Sequence, residues 1–306
     1  MDRFDALRAF VQVVESGSLT RAANALGVAT SAISRRIKDL EAHLGTQLLQ
    51  RTTRQLRLTA AGEKFHARAQ NILQSMAEAE AEAGDQASAL SGPLRLAAPL
   101  GFGHSHLAPI LLEFAQEHPE VQLDVDFSDR VVDLIAEGHD LALRIGNLAD
   151  STLIARKLAE VRLIVCASPE FWDRHGMPGT PEDLAALPAL AYTGSERVDV
   201  WRFTAPDGRS GAVETRVAMR ATNGSFLCQA AEAGLGVALQ PSFICANAIA
   251  DGRLVPVLTD HQWPTVTIHL VYPQTRHLSA RARALMDFIR ERIGPVPDWE
   301  QALSAA

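Results

Sequence analysis

A chain of 306 residues with 47% hydrophobic and 21% charged residues has the make-up of a globular protein with room for two or more domains. No charged leader precedes an apolar stretch and no apolar run approaches the ~18 residues of a membrane span, so neither secretion nor a membrane is expected, and the cytoplasm is the expected compartment. The net charge of −7 is uneven: residues 1–60 hold 9 Lys/Arg against 5 Asp/Glu, about +4, which leaves about −11 on the remainder. Basic charge gathered at one end suits a polyanionic partner such as double-stranded DNA, bound by counterion release.

In chain order, Phe4 to Glu15 carries Leu7, Phe10, Val11 and Val14 at helical spacing, and Ser16-Gly17 ends the segment. SLTRAANALGVATSAISRRIKDLEAHL, Ser18 to Leu44, then reads as two helices joined by a tight turn. Ser18 caps the first, Ala22 and Ala23 let a second helix cross closely, and Gly27 supplies a left-handed residue. Thr30 is expected to cap the second helix, whose buried face holds Ile33, Ile37, Leu40 and Leu44. Ser31, Ser34, Arg35 and Lys38 fall on the opposite face at i, i+3, i+4 and i+7. Small polar and cationic groups opposite an apolar face suit a groove lined by phosphates, so the pair reads as a helix-turn-helix with its recognition helix second. The alternative is a helical hairpin with a solvated charged face.

Two short alternating runs follow Gly45, Leu48–Arg51 and Leu56–Leu58, around Thr52-Thr53-Arg54-Gln55. They read as a hairpin with arginines at tip and base, a wing. Thr59 then caps a helical segment reaching about Ser88. Its residues Phe65, Ala69, Ile72, Met76, Ala79 and Ala83 alternate spacings of four and three, which is a heptad seam. At about 1.5 Å per residue it spans roughly 40 Å. With no partner foreseen in its own domain, the seam is expected to be covered by a second chain; a connector helix lying on its own effector domain is the alternative.

FVQVVESGSLTRAANALGVATSAISRRIKDLEAHLGTQLLQRTTRQLRLTAAGEKF resembles the N-terminal signature of the LysR-type transcriptional regulators. The likeness is dense over about the first 65 residues and rests on the A-A-x-x-L turn, the A-I-S-R-R-I helix and the L-G-x-x-L…R-T-T-R wing. Leu49 departs from it, standing where the family usually has phenylalanine. A looser likeness continues through DLALRIG, RLIVCASPEFW and GLGVALQP. The DNA-contacting set expected on this basis is Ser18, Thr20, Thr30, Ser31, Ser34, Arg35, Arg36 and Lys38 from the helices, with Arg51, Thr53 and Arg54 from the wing.

From Gly92 strands and helices alternate. Strand 93–98, helix 104–117, strand 121–127, helix 131–137 and strand 140–145 make a βαβαβ order, which implies a parallel sheet with right-handed crossovers. A second unit starts near Arg162 with a strand and helices 170–175 and 182–186. A hairpin turning at residues 206–209, a strand to Thr222, helix 225–233, strand 237–240 and helix 242–250 complete it. Strand 265–271 and helix 280–293 close the chain. The fold class is therefore α/β overall: an all-α winged helix-turn-helix over 1–59, a linker helix over 60–89 and an effector domain over 90–306. The LysR-type resemblance implies that the last strand and helix return to the first unit, as in periplasmic binding proteins. Lobe I would span about 90–162 and 267–293, and lobe II about 163–266.

Several chemical motifs fail on inspection. Gly101-Phe102-Gly103-His104 lacks the third glycine of a dinucleotide loop. His104 and His106 have no accompanying carboxylate and read as solvated rather than metal-binding. Asp124, Asp126 and Ser128 open like a calcium loop, but Asp129 and Ile135 stand where glycine and glutamate belong. Cys166, Cys228 and Cys245 are odd in number, far apart and without C-x-x-C spacing, which argues against a disulfide frame or zinc knuckle, and Cys166 reads as a buried thiol. No G-x-S-x-G, H-E-x-x-H or phosphate-loop lysine occurs, so no enzyme and no cofactor is expected.

Helix starts at Pro99-Leu100-Gly101-Phe102 and Asn223-Gly224-Ser225 lie after strands, where α/β sheets bind ligands. The resemblance implies that the two loops face each other across a cleft, joined by Ser128, the Arg144–Gly146 strand end and Ser168. Arg144 suits an anionic effector; an outward strand arginine, or an ion pair with Asp140 or Glu137, is the competing reading. Leu100, Phe102 and Phe226 favour an apolar body, so a small organic acid is the expected effector, against an uncharged ligand. The expectation is a DNA-binding regulator modulated by a small molecule, acting as a homodimer or, as the resemblance implies, a dimer of dimers. The alternative is a solute-binding protein or enzyme built on the same two-lobed domain, with the N-terminus a protein-interaction module.

Overall fold

The computed structural model describes residues 2–51, 56–83, 90–146, 153–194, 197–274 and 278–305, which divide into two compact units, Met1–Gly92 and Pro93–Ala306. The first unit runs α1 (Arg3–Ser16), α2 (Leu19–Ala25), α3 (Thr30–Leu44), β1 (Leu49–Arg51), β2 (Leu56–Leu58) and α4 (Ala60–Ala83). Asp2 starts α1 by accepting from the backbone N–H groups of Phe4 and Asp5. The buried side of α1 is wider than the four residues foreseen, because α2, α3 and α4 all pack on it. Ala6, Ala9 and Val13 join Leu7, Phe10 and Val11 in the core, with Val14 partly buried.

Ser18 Oγ accepts from Arg21 N at 3.4 Å, and Gly27 closes the first helix of the pair at φ +65°. Thr30 is not the cap of α3. Ala29 occupies that position without a side-chain bond, so Thr30 is the first helical residue and is exposed. Ile33, Ile37 and Leu40 are buried as expected, but Leu44 is 38% exposed in the last turn before Gly45 and lies outside the core cluster. β1 and β2 pair antiparallel with Leu49 opposite Leu58 and Arg51 opposite Leu56. Leu49 is buried, so its apolar side chain serves the core.

Thr59 Oγ1 accepts from Gly62 N at 2.9 Å and so caps α4. The seam of α4 does have a partner in its own unit, contrary to expectation: Ala69 is fully buried in the helix-turn-helix core, and Phe65 stands 5.6 Å from Phe10, centroid to centroid. The same spacing of four and three that suits a coiled coil also suits a core, and α1 covers this half. Ile72 and Met76, one and two turns on, are 47% and 41% exposed. The side chains of Ala79 and Ala83 and the expected end near Ser88 lie outside the described residues.

The second unit adds, after β3 (Gly92–Ala98), α5 (Leu100–Phe102), a π turn (Gly103–Leu107), α6 (Ala108–Glu117), β4 (Val121–Phe127), α7 (Leu134–Glu137) and β5 (Leu141–Ile145). The long β6 (Leu153–Ala167) leads to α8 (Pro169–His175), a 3-10 turn (Pro181–Ala186), β7 (Pro188–Tyr192), β8 (Val200–Thr204), β9 (Ser210–Glu214) and β10 (Arg216–Ala221). The chain ends with α9 (Gly224–Glu232), β11 (Val237–Pro241), α10 (Ser242–Ala250), β12 (Val255–Pro256), β13 (Thr265–Pro273), α11 (Ala280–Ile293) and α12 (Asp298–Ala305).

The sheet order is β10-β7-β11-β6-β13-β5-β3-β4. β3 runs parallel to β5, and β7 parallel to both β10 and β11, whereas β6 and β13 are antiparallel to each other and to their outer neighbours. Leu153–Arg162 of β6 pair with β13, and Leu163–Cys166 pair with β11. One strand thus leaves the first lobe for the second, and β13 returns the chain to α11, which packs on α6. The helix expected over 131–137 shrinks to one turn, because Asp133 caps Ile135 N and Ala136 N and leaves Val131 exposed. The helix expected to open at His104 starts at Leu100 instead. Strand β7 and helix α12 were not foreseen.

Gly62 marks a close crossing in the first unit: a Cβ there would stand 2.1 Å from the Leu48 carbonyl oxygen. The Leu48 peptide is backbone and leaves little room to relax, so Gly62→Ala should cost roughly 1–3 kcal/mol. A thermal midpoint several degrees lower is expected for the variant, and an unchanged midpoint would contradict the packing.

Candidate nucleic-acid interface and effector cleft

Helix α3 is held by its apolar face: Ile33 and Ile37 are fully buried and Leu40 nearly so. That leaves Thr30, Ser31, Arg35 and Lys38 exposed and Ser34 half-buried on the other side. Arg35 reaches Asp39 only at 4.0 Å with its side chain 86% exposed, so its charge is available to a partner. Arg36 differs from expectation. Its Nη2 donates to Asp5 Oδ2 at 2.7 Å, which turns the guanidinium to α1 and away from the exposed face. Ser18 spends its hydroxyl on the cap of α2, while Thr20 is exposed. Thr53 and Arg54, and the side chain of Arg51, lie outside the described residues. One residue escaped the sequence reading: Glu41 Oε1 accepts from Leu48 N at 2.9 Å and Leu49 N at 3.1 Å. Its position on α3 looks like any solvated carboxylate, and only the folded wing shows what it holds.

In the second unit the two helix-start loops do meet: a Cβ on Gly101 would come 3.4 Å from Ser225 Oγ. Leu100 N donates to Asp129 Oδ1 at 3.0 Å, and Asn223 Oδ1 accepts from Phe226 N at 2.9 Å. A Cβ on Gly224 would press within 2.6 Å of Ile244 Cδ1, so a side chain there would have to push the Ile244 side chain aside. Pro99 occupies the cap position of α5, and Ser128 Oγ accepts from Arg130 N at 3.3 Å. Gly146 adopts φ +109° and donates to the Thr267 carbonyl. Arg144 Nη2 donates to the Val132 carbonyl at 2.7 Å. Neither carboxylate foreseen for it is its acceptor: Asp140 accepts from Arg95 N, and Glu137 pairs with Arg130 at 2.7 Å.

Two residues placed in the cleft by sequence are buried elsewhere. Phe102 is 1% exposed, its ring packed on His106, Phe243 and Trp299 at centroid distances of 5.2 to 5.6 Å. Ser168 is 3% exposed and caps α8 by accepting from Phe171 N at 3.3 Å. His106 is half-buried, unlike the exposed His104. Its Nε2 lies 2.9 Å from the Phe243 carbonyl, and burial holds its imidazole below the ordinary range, partly offset by that carbonyl and Asp298. Asp129 and Tyr192 were missed. Burial, aided by the charge of Asp129, pushes the Tyr192 phenol up. Tyr192 ends β7, the strand the sequence reading lacked.

The three cysteines share one core cluster. A hydrogen bond with Cys245, then burial, raises the Cys166 thiol well above its usual range, and burial pushes Cys228 up to about 12, so both stay protonated and unreactive. Among the described residues no cluster of His, Cys, Asp or Glu is placed to hold a metal ion, and no helix is long and apolar enough to cross a membrane.

Residues 4–63 match the family described as bacterial regulatory helix-turn-helix protein, lysR family, and residues 87–294 match the LysR substrate binding domain. The HTH-type transcriptional regulator CrgA of Neisseria meningitidis serogroup C (strain 8013) is 38% identical over 291 residues, 95% of this chain and 97% of that protein. The solved structure of CrgA from Neisseria meningitidis superposes with a TM-score of 0.61 at 37% identity, covering 95% of this chain and 98% of that one. Full-length AphB, the Vibrio cholerae virulence activator, superposes with a TM-score of 0.59 at 30% identity, covering 93% and 97%. The winged helix-turn-helix and the two-lobed α/β region therefore form a LysR-type transcriptional regulator with an effector-binding domain, and the chain belongs to the LysR family.

Proposed function

We propose that this regulator docks α3 in the major groove of duplex DNA with its wing beside it, and that a small molecule in the two-lobed domain modulates that binding. The observation that carries the reading is the division of α3 into a buried apolar face and an exposed face of Ser31, Arg35 and Lys38, with Ser34 half-buried between. On this reading residues 1–59 bind DNA, 60–89 link and dimerise, and 90–306 bind the effector, in the cytoplasm and without catalysis. The exposed Ile72 and Met76 on α4 support a homodimer or, as the sequence resemblance implies, a dimer of dimers.

The effector is a small organic acid in this proposal. A guanidinium carries five N–H donors, and Arg144 places one of them on the Val132 carbonyl. The exposed Leu100 and Phe226 offer apolar surface beside the loops. Asp129 narrows the class, because its carboxylate already takes the Leu100 N–H. An acid would therefore turn its carboxylate to Arg144 and present a hydrogen-bond donor to Asp129.

Three outcomes test these statements. Ser34→Ala combined with Arg35→Ala should abolish sequence preference on duplex DNA with helicity intact; retained preference would sink the assignment of α3. Ile72→Lys with Met76→Lys should give monomers by light scattering and weaker operator binding, since half-sites about 34 Å apart need two copies. A wild-type mass in that variant would place dimerisation elsewhere. Arg144→Met should remove the thermal shift given by a stabilising carboxylate from a broad panel. If neutral compounds stabilise the wild type and carboxylates do not, the acid reading is wrong.

A further inference from the structure

We propose that Glu41 is a positioning residue that holds the wing in register with the recognition helix, an inference resting on the reading that α3 and the wing both meet DNA. β1 and β2 are three residues each, and a two-stranded ribbon of that size is too weakly paired to fix its own angle. Its orientation has to come from its base. There one carboxylate oxygen of Glu41 accepts both Leu48 N, at 2.9 Å, and Leu49 N, at 3.1 Å. The carbonyl of Leu48 accepts from Thr59 N at 2.9 Å, and Thr59 Oγ1 donates to the Gln47 carbonyl at 2.8 Å. The peptide groups around Leu48 are thus held from α3 on one side and from the start of α4 on the other. The side chains of Leu48 and Leu49 are buried beneath them.

Charge and position act in opposite directions here, which makes the role separable. A carboxylate on a helix that faces phosphates repels them, so removing its charge by itself tightens binding. Removing its acceptor frees the wing and loses the phosphate contacts that the wing makes. Glutamine keeps an acceptor oxygen at the same reach and drops the charge. Aspartate keeps the charge and draws the acceptor back by one methylene.

The test is fluorescence anisotropy of the full chain on a labelled random-sequence duplex, titrated at several salt concentrations, with helicity checked by circular dichroism. Glu41→Ala should bind about tenfold more weakly, with the slope of log K against log salt reduced by about one. Glu41→Gln should bind as tightly as the wild type or more tightly, with the full slope. Should Glu41→Ala fail to fold, Glu41→Asp takes its place and should show the same weakening. Equal tightening in the alanine and glutamine variants would reduce Glu41 to a charge and overturn the proposal, as would an alanine or aspartate variant indistinguishable from wild type. A wild type with no affinity for duplex DNA would overturn the reading of α3 itself.

Discussion

An amphipathic helix can show a groove only the face that its own protein does not use, so everything at the N-terminal end depends on how firmly α3 is held from behind. Ile33, Ile37 and Leu40 supply that hold, buried against a core centred on Phe10 of α1. Full burial of such side chains contributes roughly 1.5–3 kcal/mol each. Rotating α3 by one residue, about 100°, would expose this stripe and bury charge, so the orientation of Ser31, Arg35 and Lys38 follows from the core rather than from any partner. The Arg36–Asp5 pair and the Glu41 bonds to the wing belong to the same arrangement, because each ties α3 to a neighbour by a group off its exposed face.

The effector region works under a different constraint. Its lobes share a sheet through β6, which pairs with β13 over Leu153–Arg162 and with β11 over Leu163–Cys166. The two lobes then converge where Gly101 meets Ser225. A ligand that touches both sides favours one separation of the lobes over another. A difference of about 1–3 kcal/mol between those states is the usual scale of such coupling. Phe102 takes no direct part in that contact; its ring is fixed in an aromatic cluster with Trp299 of α12 and Phe243 of α10, immediately behind the loop that would touch the ligand.

Features set by local rules were legible in the sequence. Ser18 and Thr59 as caps, Gly27 in the left-handed region and the buried Ile33, Ile37 and Leu40 each follow from a few neighbouring residues. Thr30 misled because Ala29-Thr30-Ser31 offers several starts, and the exit of the turn selects the backbone of Ala29. The seam of α4 was visible as a spacing, but spacing does not say whether α1 or another chain covers Phe65 and Ala69. In the cleft, sequence marked the loops but not the depth of each side chain. Phe102 is covered by a helix that strand-and-helix counting missed, and Ser168 is drawn into capping α8. Asp129 and Tyr192 carry no motif, so nothing in the sequence singled them out.

The central claim is that one chain couples base reading by α3 to a paired assembly. Its most direct test is selection of bound sequences from a random duplex library by the full-length protein. The account predicts enrichment of an inverted repeat whose half-sites are separated by about one helical turn or a multiple of it. A pool that stays random after repeated rounds, despite salt-sensitive retention of DNA, would contradict it.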